Sequence, residues 1–271
     1  RQLLITKGVA PMQGIHEALN AIRDSADWNQ ARSRILSEKP EYLLPSYPSS
    51  EQKVMSESDS KRWLKNNNFN VPNGKTVSPH KLGEAASEVG YPVALKMISP
   101  RLLHKTEAGA VVLDLKDEEE LKLAVEKMRI DVTAYDADAA SELFLVEAMS
   151  PNPVAELIVN LRQDPQFGAA LVLGSGGVLV ELMADTATLL LPTSPADIIR
   201  ALKSLRVRRL LEGFRGRPAV DIPKVAEEIY KLCIAYQNHG KTITEIEINP
   251  LFVYRDTVSA IDALIQVPVD T

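Results

Sequence analysis

Residues 245–251 read Glu-Ile-Glu-Ile-Asn-Pro-Leu, with strict alternation of polar and apolar side chains from Glu245 to Asn249. Such a pattern commits the segment to a β-strand, with Glu245, Glu247 and Asn249 on one face about 7 Å apart at each step. A second apolar segment, Ala260-Ile261-Asp262-Ala263, carries one carboxylate. Oxygen ligands from two neighbouring strands are what a hard cation such as Mg2+ needs while it carries nucleotide phosphates. An edge strand with a polar face would give the same pattern.

The rest of the chain alternates between periods. The spacing predicts a helix beginning at Ser56, with Trp63, Leu64 and Phe69 on one side and Asn66-Asn67-Asn68 loosening its end, and helices over 80–89, 118–128 and 225–236. Ser194-Pro195-Ala196-Asp197 is a helix start: serine caps, proline takes the first turn and aspartate favours the positive end. Strands are expected over 91–97, 110–115, 143–146, 155–160, 169–173, 178–182, 188–191, 244–254 and 258–264. Near the start, Leu3-Leu4-Ile5 reads as a short strand before a helix with Ile15, Leu19 and Ile22. Residues 37–53, rich in proline and serine, have linker composition. The mixture predicts an α/β or α+β class. The regular βαβ beat and early GxGxxG of a Rossmann domain are missing, and so is a P-loop.

Three further features can carry chemistry. Lys96 lies in the apolar segment Tyr-Pro-Val-Ala-Leu-Lys-Met, where it either snorkels to solvent or meets an anion. His104 and Lys105 share a polar loop; such a pair can serve a phosphate as nucleophile and counter-charge, although an exposed loop histidine is commonly inert. Gly174-Ser175-Gly176-Gly177 lets the backbone turn sharply and aim N–H groups at an anion, or simply makes a turn. The single cysteine, Cys233, falls in a helical pattern as a small buried hydrophobe, which makes the cytoplasm the expected compartment. A net charge of −5 argues against a nucleic-acid partner, and no apolar run reaches membrane-spanning length. The arginines Arg206, Arg208, Arg209, Arg215 and Arg217 read as a solvated helix end and loop, or as an anion contact.

In order along the chain, YPVALKMISPRLLHKTEAGAV, ELIVNLRQDPQFGAALVLGSGGVLVEL, LLEGFRGRPAVD and EIEINPLFV followed by AIDALI resemble the ATP-grasp domain of the NDP-forming acyl-CoA synthetases. These are relatives of the succinyl-CoA synthetase β subunit, and the likeness runs from about Ser56 to Leu264. The segment GVAPMQGIHEALNAI is similar to the tail of the ligase domain that precedes it in fused members. The resemblance implies an ATP-grasp fold, two lobes clasping a nucleotide. It divides the chain into a ligase-domain tail (1–36), a linker (37–53), a small lobe (54–147) and a large lobe (148–271).

It also implies roles. Lys96 is the lysine that contacts nucleotide phosphates, with Lys105 beside it, and His104 carries phosphoryl between two active sites. Glu147, with the Ala148-Met149 backbone, falls where adenine is held, and Glu156 lies near the nucleotide. Gly176 and Gly177 face the phosphates, while Glu247, Asn249 and Asp262 hold Mg2+. The implied reaction is acid + CoA + ATP ⇌ acyl-CoA + ADP + Pi. It requires a carboxylic acid and a CoA-binding domain or subunit with a second histidine, and the assembly is expected to be oligomeric. Two other outcomes fit the same fold: a regulatory module sensing ATP or acyl-CoA, and an ATP-grasp carboxylate ligase without phosphohistidine.

Overall fold

The computed structural model describes residues 2–12, 14–38, 51–102, 105–177, 185–239 and 242–269. The chain divides into two units, Arg1–Tyr42 and Leu43–Thr271. The first holds α1 (Gln2–Thr6) and α2 (Ile15–Glu38). Leu3-Leu4-Ile5 is therefore helical, not a strand: three adjacent apolar residues carry no period of their own.

The second unit contains two antiparallel sheets. One has four strands, in the order β2 (Gly74–Val77), β5 (Phe144–Ala148), β3 (Val93–Met97), β4 (Val111–Leu115). Two helices accompany it, α4 (Leu82–Val89) and α5 (Glu118–Tyr135). The other sheet has seven strands. Its main path is β1 (Gln52–Val54), β11 (Ala263–Pro268), β9 (Glu245–Val253), β6 (Ala155–Asp164), β7 (Gly168–Ser175) and β8 (Thr186–Leu190), with β10 (Val258–Ala260) paired to β9. Helices α3 (Glu57–Asn66), α6 (Pro195–Ser204), α7 (Arg208–Leu211) and α8 (Ile222–His239) also belong to this unit. Antiparallel pairing throughout both sheets makes the class α+β.

Local chemistry sets the helix ends. Ser194 Oγ accepts from the Asp197 N–H with Pro195 in the first turn, as its sequence predicts. Asp117 caps α5 in the same way, and three glutamates in that first turn suit the helix dipole. Gly90 ends α4 at a φ of 92°, a backbone state that only glycine adopts without strain. Helix α5 runs to Tyr135, beyond the expected 128, because Met128 and Val132 continue its buried stripe.

Each sheet has its own core. Leu157, Val159, Leu161, Leu171, Leu173, Ile246 and Ile248 pack in one cluster with Ile198 and Leu202 of α6 and Val225, Ile229 and Leu232 of α8. Val93, Leu95, Met97, Phe144 and Val146 pack in another with Leu121, Val125, Met128 and Val132 of α5. Cys233 is buried, and burial pushes its thiol up to about 12, so it behaves as the expected small hydrophobe. No helix among the described residues is long and apolar enough to cross a membrane.

Candidate functional site

Helix α3 turns charge inward. Glu57, Ser60, Lys61 and Leu64 occupy one face at the i, i+3, i+4, i+7 spacing, and all four are buried. Ser56 caps the helix by accepting from the Asp59 N–H, and Ser60 Oγ accepts from the Ile265 N–H at 3.2 Å, seating α3 on β11. Glu57 is 5% exposed and Lys61 4%, although isolated ions are expensive to remove from water.

What holds them is a shared cluster. Lys96 Nζ donates to Glu57 Oε1 at 2.6 Å and stands 3.1 Å from Glu147 Oε2. Lys61 Nζ donates to both Glu147 oxygens at 2.6 and 2.7 Å and lies 2.9 Å from Glu57 Oε1. Lys105 donates to Glu57 Oε2 and reaches the two oxygens of Asp262 at 3.0 and 3.1 Å. Lys96 also donates to the Ile261 carbonyl at 3.0 Å, tying β3 to the segment before Asp262. Lys61, Lys96 and Lys105 thus balance Glu57, Glu147 and Asp262.

The solvent-facing alternative for Lys96 is ruled out, since the residue is 5% exposed. Burial alone would depress its ammonium, but Glu57, Glu147 and Asp262 outweigh that and hold it above the ordinary lysine range. Burial likewise opposes the Glu57 carboxylate, yet Lys96, Lys61 and Lys105 together keep it far below the usual carboxylate range. Lys61 goes the other way: burial and the neighbouring Lys96 charge pull it down. The two lysines share the carboxylates of Glu57 and Glu147.

The opposite wall is the polar face of β9. Glu245, Glu247 and Asn249 are half-buried while Ile246 and Ile248 are buried, as the alternation predicts. Asn160 on β6 stands opposite Glu247 in register; its Nδ2 donates to Glu245 at 2.6 Å and to Glu247 at 3.2 Å. Its Oδ1 is buried without a partner. Burial raises the Glu247 carboxyl, with the Glu245 and Asp262 charges adding to it against the Asn160 hydrogen bond. Asn249 donates its N–H to the Asp262 carbonyl at 3.2 Å, and its Oδ1 accepts from the Gly177 N–H at 3.2 Å. Glu247, Asn249, Asp262, Lys105 and Glu57 line one cavity of about 630 Å3, ample for a small-molecule ligand.

The oxygens present fit Mg2+. Among the described residues no three His, Cys, Asp or Glu side chains form a ready metal cage. Mg2+ does not need one: it takes one or two carboxylates and completes its shell with water and substrate phosphates. A cation beside Glu247 would relieve its raised carboxyl and offer a partner to the nearby orphaned Asn160 Oδ1.

The glycine turn is set by close approach. Gly176 N donates to the Glu156 carbonyl at 2.8 Å, and a Cβ on Gly176 would sit 2.5 Å from the Leu157 carbonyl carbon and oxygen. Gly177 has a φ of 67°, and a Cβ there would collide with the Glu156 carboxylate. Glu156 and Gly176 line an adjacent cavity of about 780 Å3, with Asn152, Ser175, Arg206 and Arg217. These two residues thus stand apart from the first cavity, to which the Gly177–Asn249 hydrogen bond connects them. All five arginines of the basic cluster are exposed.

Glu147 lies on β5 with its carboxylate in the lysine cluster. Met149 follows it; its N–H donates to the Pro92 carbonyl at 3.2 Å and its sulfur accepts from the Asp114 N–H at 3.4 Å. His104 and the expected strand over 178–182 lie outside the described residues. Glu57 and Lys61 are absent from the sequence reading, which assigns α3 an inner face from Trp63, Leu64 and Phe69. The available signal was the placement of Glu57 and Lys61 seven and three residues before Leu64, on the face that this leucine commits to the core.

An ATP-grasp domain family matches residues 46–267. The β subunit of acetate–CoA ligase (ADP-forming) II from Pyrococcus furiosus is 34% identical over 211 residues, covering 77% of this chain and 88% of that subunit. A structure of acetyl-coenzyme A synthetase 1 from Ca. Korarchaeum cryptofilum, in complex with coenzyme A, Ca-AMPCP and HgCl+, superposes with a TM-score of 0.75 at 31% identity, over 79% of this chain and 93% of that one. A second structure of that protein, in complex with coenzyme A and Mg-AMPPCP and with its phosphohistidine segment pointing towards the nucleotide binding site, gives a TM-score of 0.67 at 29% identity over the same shares. With the two sheets and the lysine cluster already in place, these likenesses assign the chain to the ATP-grasp family, as a β-subunit-like member of the ADP-forming acid–CoA ligases.

Proposed function

We infer that this chain binds Mg2+ with ATP or ADP between its two sheets and carries the transferring phosphoryl group on His104 to a CoA-binding partner with a second histidine. The complete assembly then catalyses acid + CoA + ATP ⇌ acyl-CoA + ADP + Pi. The observation that carries this reading is one cavity lined by Lys105 and Glu57 together with Glu247, Asn249 and Asp262, with Lys96 bonded to Glu57. Lys96 and Lys105 stand beside Asp262 with ammonium groups now spent on the cluster's own carboxylates, contacts that a metal–polyphosphate would share.

In the forward step the His104 imidazole nitrogen forms a bond to the γ-phosphorus as the bond to the β,γ-bridging oxygen breaks, and ADP leaves. Lys96 and Lys105 neutralise charge spread over the transferring group. Glu247, Asn249 and Asp262 would hold Mg2+, which when bound would offset phosphate charge. Gly176 and Gly177 bring backbone close to the phosphates, with Glu156 nearby; the Glu147 backbone and that of Ala148-Met149 flank the base, while the Glu147 carboxylate stays in the lysine cluster. A phosphohistidine divides one difficult transfer into two displacements.

Residues 1–36 read best as the tail of a preceding CoA-ligase-type domain, residues 37–53 as the linker, and 54–147 and 148–271 as the small and large lobes. Exposed Leu3, Ile15, Leu19, Ile22 and Trp28 support the first assignment, since they offer an apolar surface to another domain. The partner supplies the CoA and acid sites.

Titration of the folded chain with ADP, followed by calorimetry with and without Mg2+, tests the nucleotide site. Binding is expected to depend on Mg2+, and Asp262→Asn is expected to weaken the Mg2+-dependent part by about 100-fold. A folded wild-type chain that ignores Mg2+·ADP removes the reading.

A further inference from the structure

Glu57 and Lys61 lie one turn apart, the spacing of an ordinary surface pair on a helix, yet both are buried. Their contacts are not those of a self-contained pair. Glu57 gives Oε1 to Lys96 at 2.6 Å and Oε2 to Lys105, while its own helix partner Lys61 is the longer contact at 2.9 Å. Glu57 therefore sets two ammonium groups from two different segments, and Lys105 is the chain neighbour of His104.

Lys61 does something complementary. Its ammonium engages both oxygens of Glu147, at 2.6 and 2.7 Å, and leaves Glu147 at 3.1 Å from Lys96. Lys96 is thus held tightly by one carboxylate and loosely by another. Its remaining contact is the neutral Ile261 carbonyl at 3.0 Å. An ammonium has three donors, and a phosphate oxygen is the stronger acceptor for the one now spent on a carbonyl. Were Lys61 absent, Glu147 would be free to close on Lys96 and compete with a phosphate for it.

We propose that Glu57 and Lys61 are positioning residues for phosphoryl transfer: Glu57 sets the Lys96 and Lys105 ammonium groups where phosphate oxygens arrive, and Lys61 draws Glu147 away from Lys96. This rests on the nucleotide reading given above. It adds to the site two residues that act through Lys96, Lys105 and Glu147, and it assigns the inner face of α3 to catalysis as well as to packing.

The test is transfer of label from Mg2+·ATP, labelled in the γ-phosphate, to the full chain. Maximal rate, half-saturating concentration and denaturant midpoint are measured for wild type, Glu57→Gln, Lys61→Met and the double variant. Glu57→Gln keeps the shape and removes the charge. Its maximal rate is expected to fall about 100-fold while the half-saturating concentration changes less than about 5-fold. The double variant loses one charge of each sign, so it is expected to regain most of the stability lost by either single variant while its rate stays low. Rate and stability returning together would make the pair a structural ion pair and overturn the proposal. So would a wild-type rate in a folded Glu57→Gln chain. A wild-type chain that takes no label fails the phosphohistidine reading itself, and the positioning roles fall with it.

Discussion

Lys96→Met is expected to lower phosphoryl transfer from ATP by about 1000-fold and to destabilise the fold by about 3–5 kcal/mol. The two effects have one source. Methionine fills nearly the same volume, so the loss is of charge rather than packing. Without the ammonium, Glu57 loses its 2.6 Å partner and Glu147 its 3.1 Å one, leaving Lys61 as the partner of Glu147 and Lys61 with Lys105 for Glu57. The cluster then carries one uncompensated negative charge in a buried setting, which a carboxyl relieves by taking up a proton. A carboxyl whose folded pKa is raised costs stability as pH rises above its unfolded value. The deficit of the variant relative to wild type is therefore expected to shrink as pH is lowered towards about 4. Denaturant melts at several pH values, together with the label-transfer rate, check both parts.

Gly176→Ala is expected to cost about 3 kcal/mol or more in a denaturant melt. The added methyl would lie 2.5 Å from the carbonyl carbon and oxygen of Leu157 and 2.8 Å from its nitrogen. These are backbone atoms of β6, a strand paired on both sides, by β7 and by β9, so it cannot move aside without breaking ladder hydrogen bonds. Gly216→Ala is the control. Its φ of 82° is unfavourable to alanine, but nothing lies within 4 Å of the added carbon, and only about 1–2 kcal/mol of conformational strain is expected. A Gly176→Ala chain as stable as Gly216→Ala would mean that the close approach of β6 and the glycine turn is not real.

Much of the scaffold was legible because it is written locally. The alternation through β9 placed Glu245, Glu247 and Asn249 on one face before any partner strand was known. Ser194, Pro195 and Asp197 marked the start of α6 by cap chemistry alone. Short elements were harder. Strand β1 is three residues long, too short for a period, and exists through its pairing with β11, more than two hundred residues away. Leu3-Leu4-Ile5 fits strand and helix equally as a string of letters.

The site divides along the same line. Lys96 stood out as a charge in an apolar strand, and Asn249 and Asp262 stood out as polar groups among isoleucines. Their partners did not, because the contacts that matter join residues far apart: Lys96 reaches Glu57 across 39 positions, and Lys61 reaches Glu147 across 86. A search for apolar stripes passes over a helix face on which glutamate and lysine take inner positions, and tertiary pairing is what makes those positions tenable.

Transfer of γ-phosphate label from Mg2+·ATP to the purified chain, compared between wild type and His104→Asn, tests the central claim most directly. Acid-labile label on wild type that is absent from a folded, Mg2+·ADP-binding His104→Asn chain is the expected result. Label of the same amount and lability on His104→Asn would place the phosphoryl group elsewhere and contradict the account.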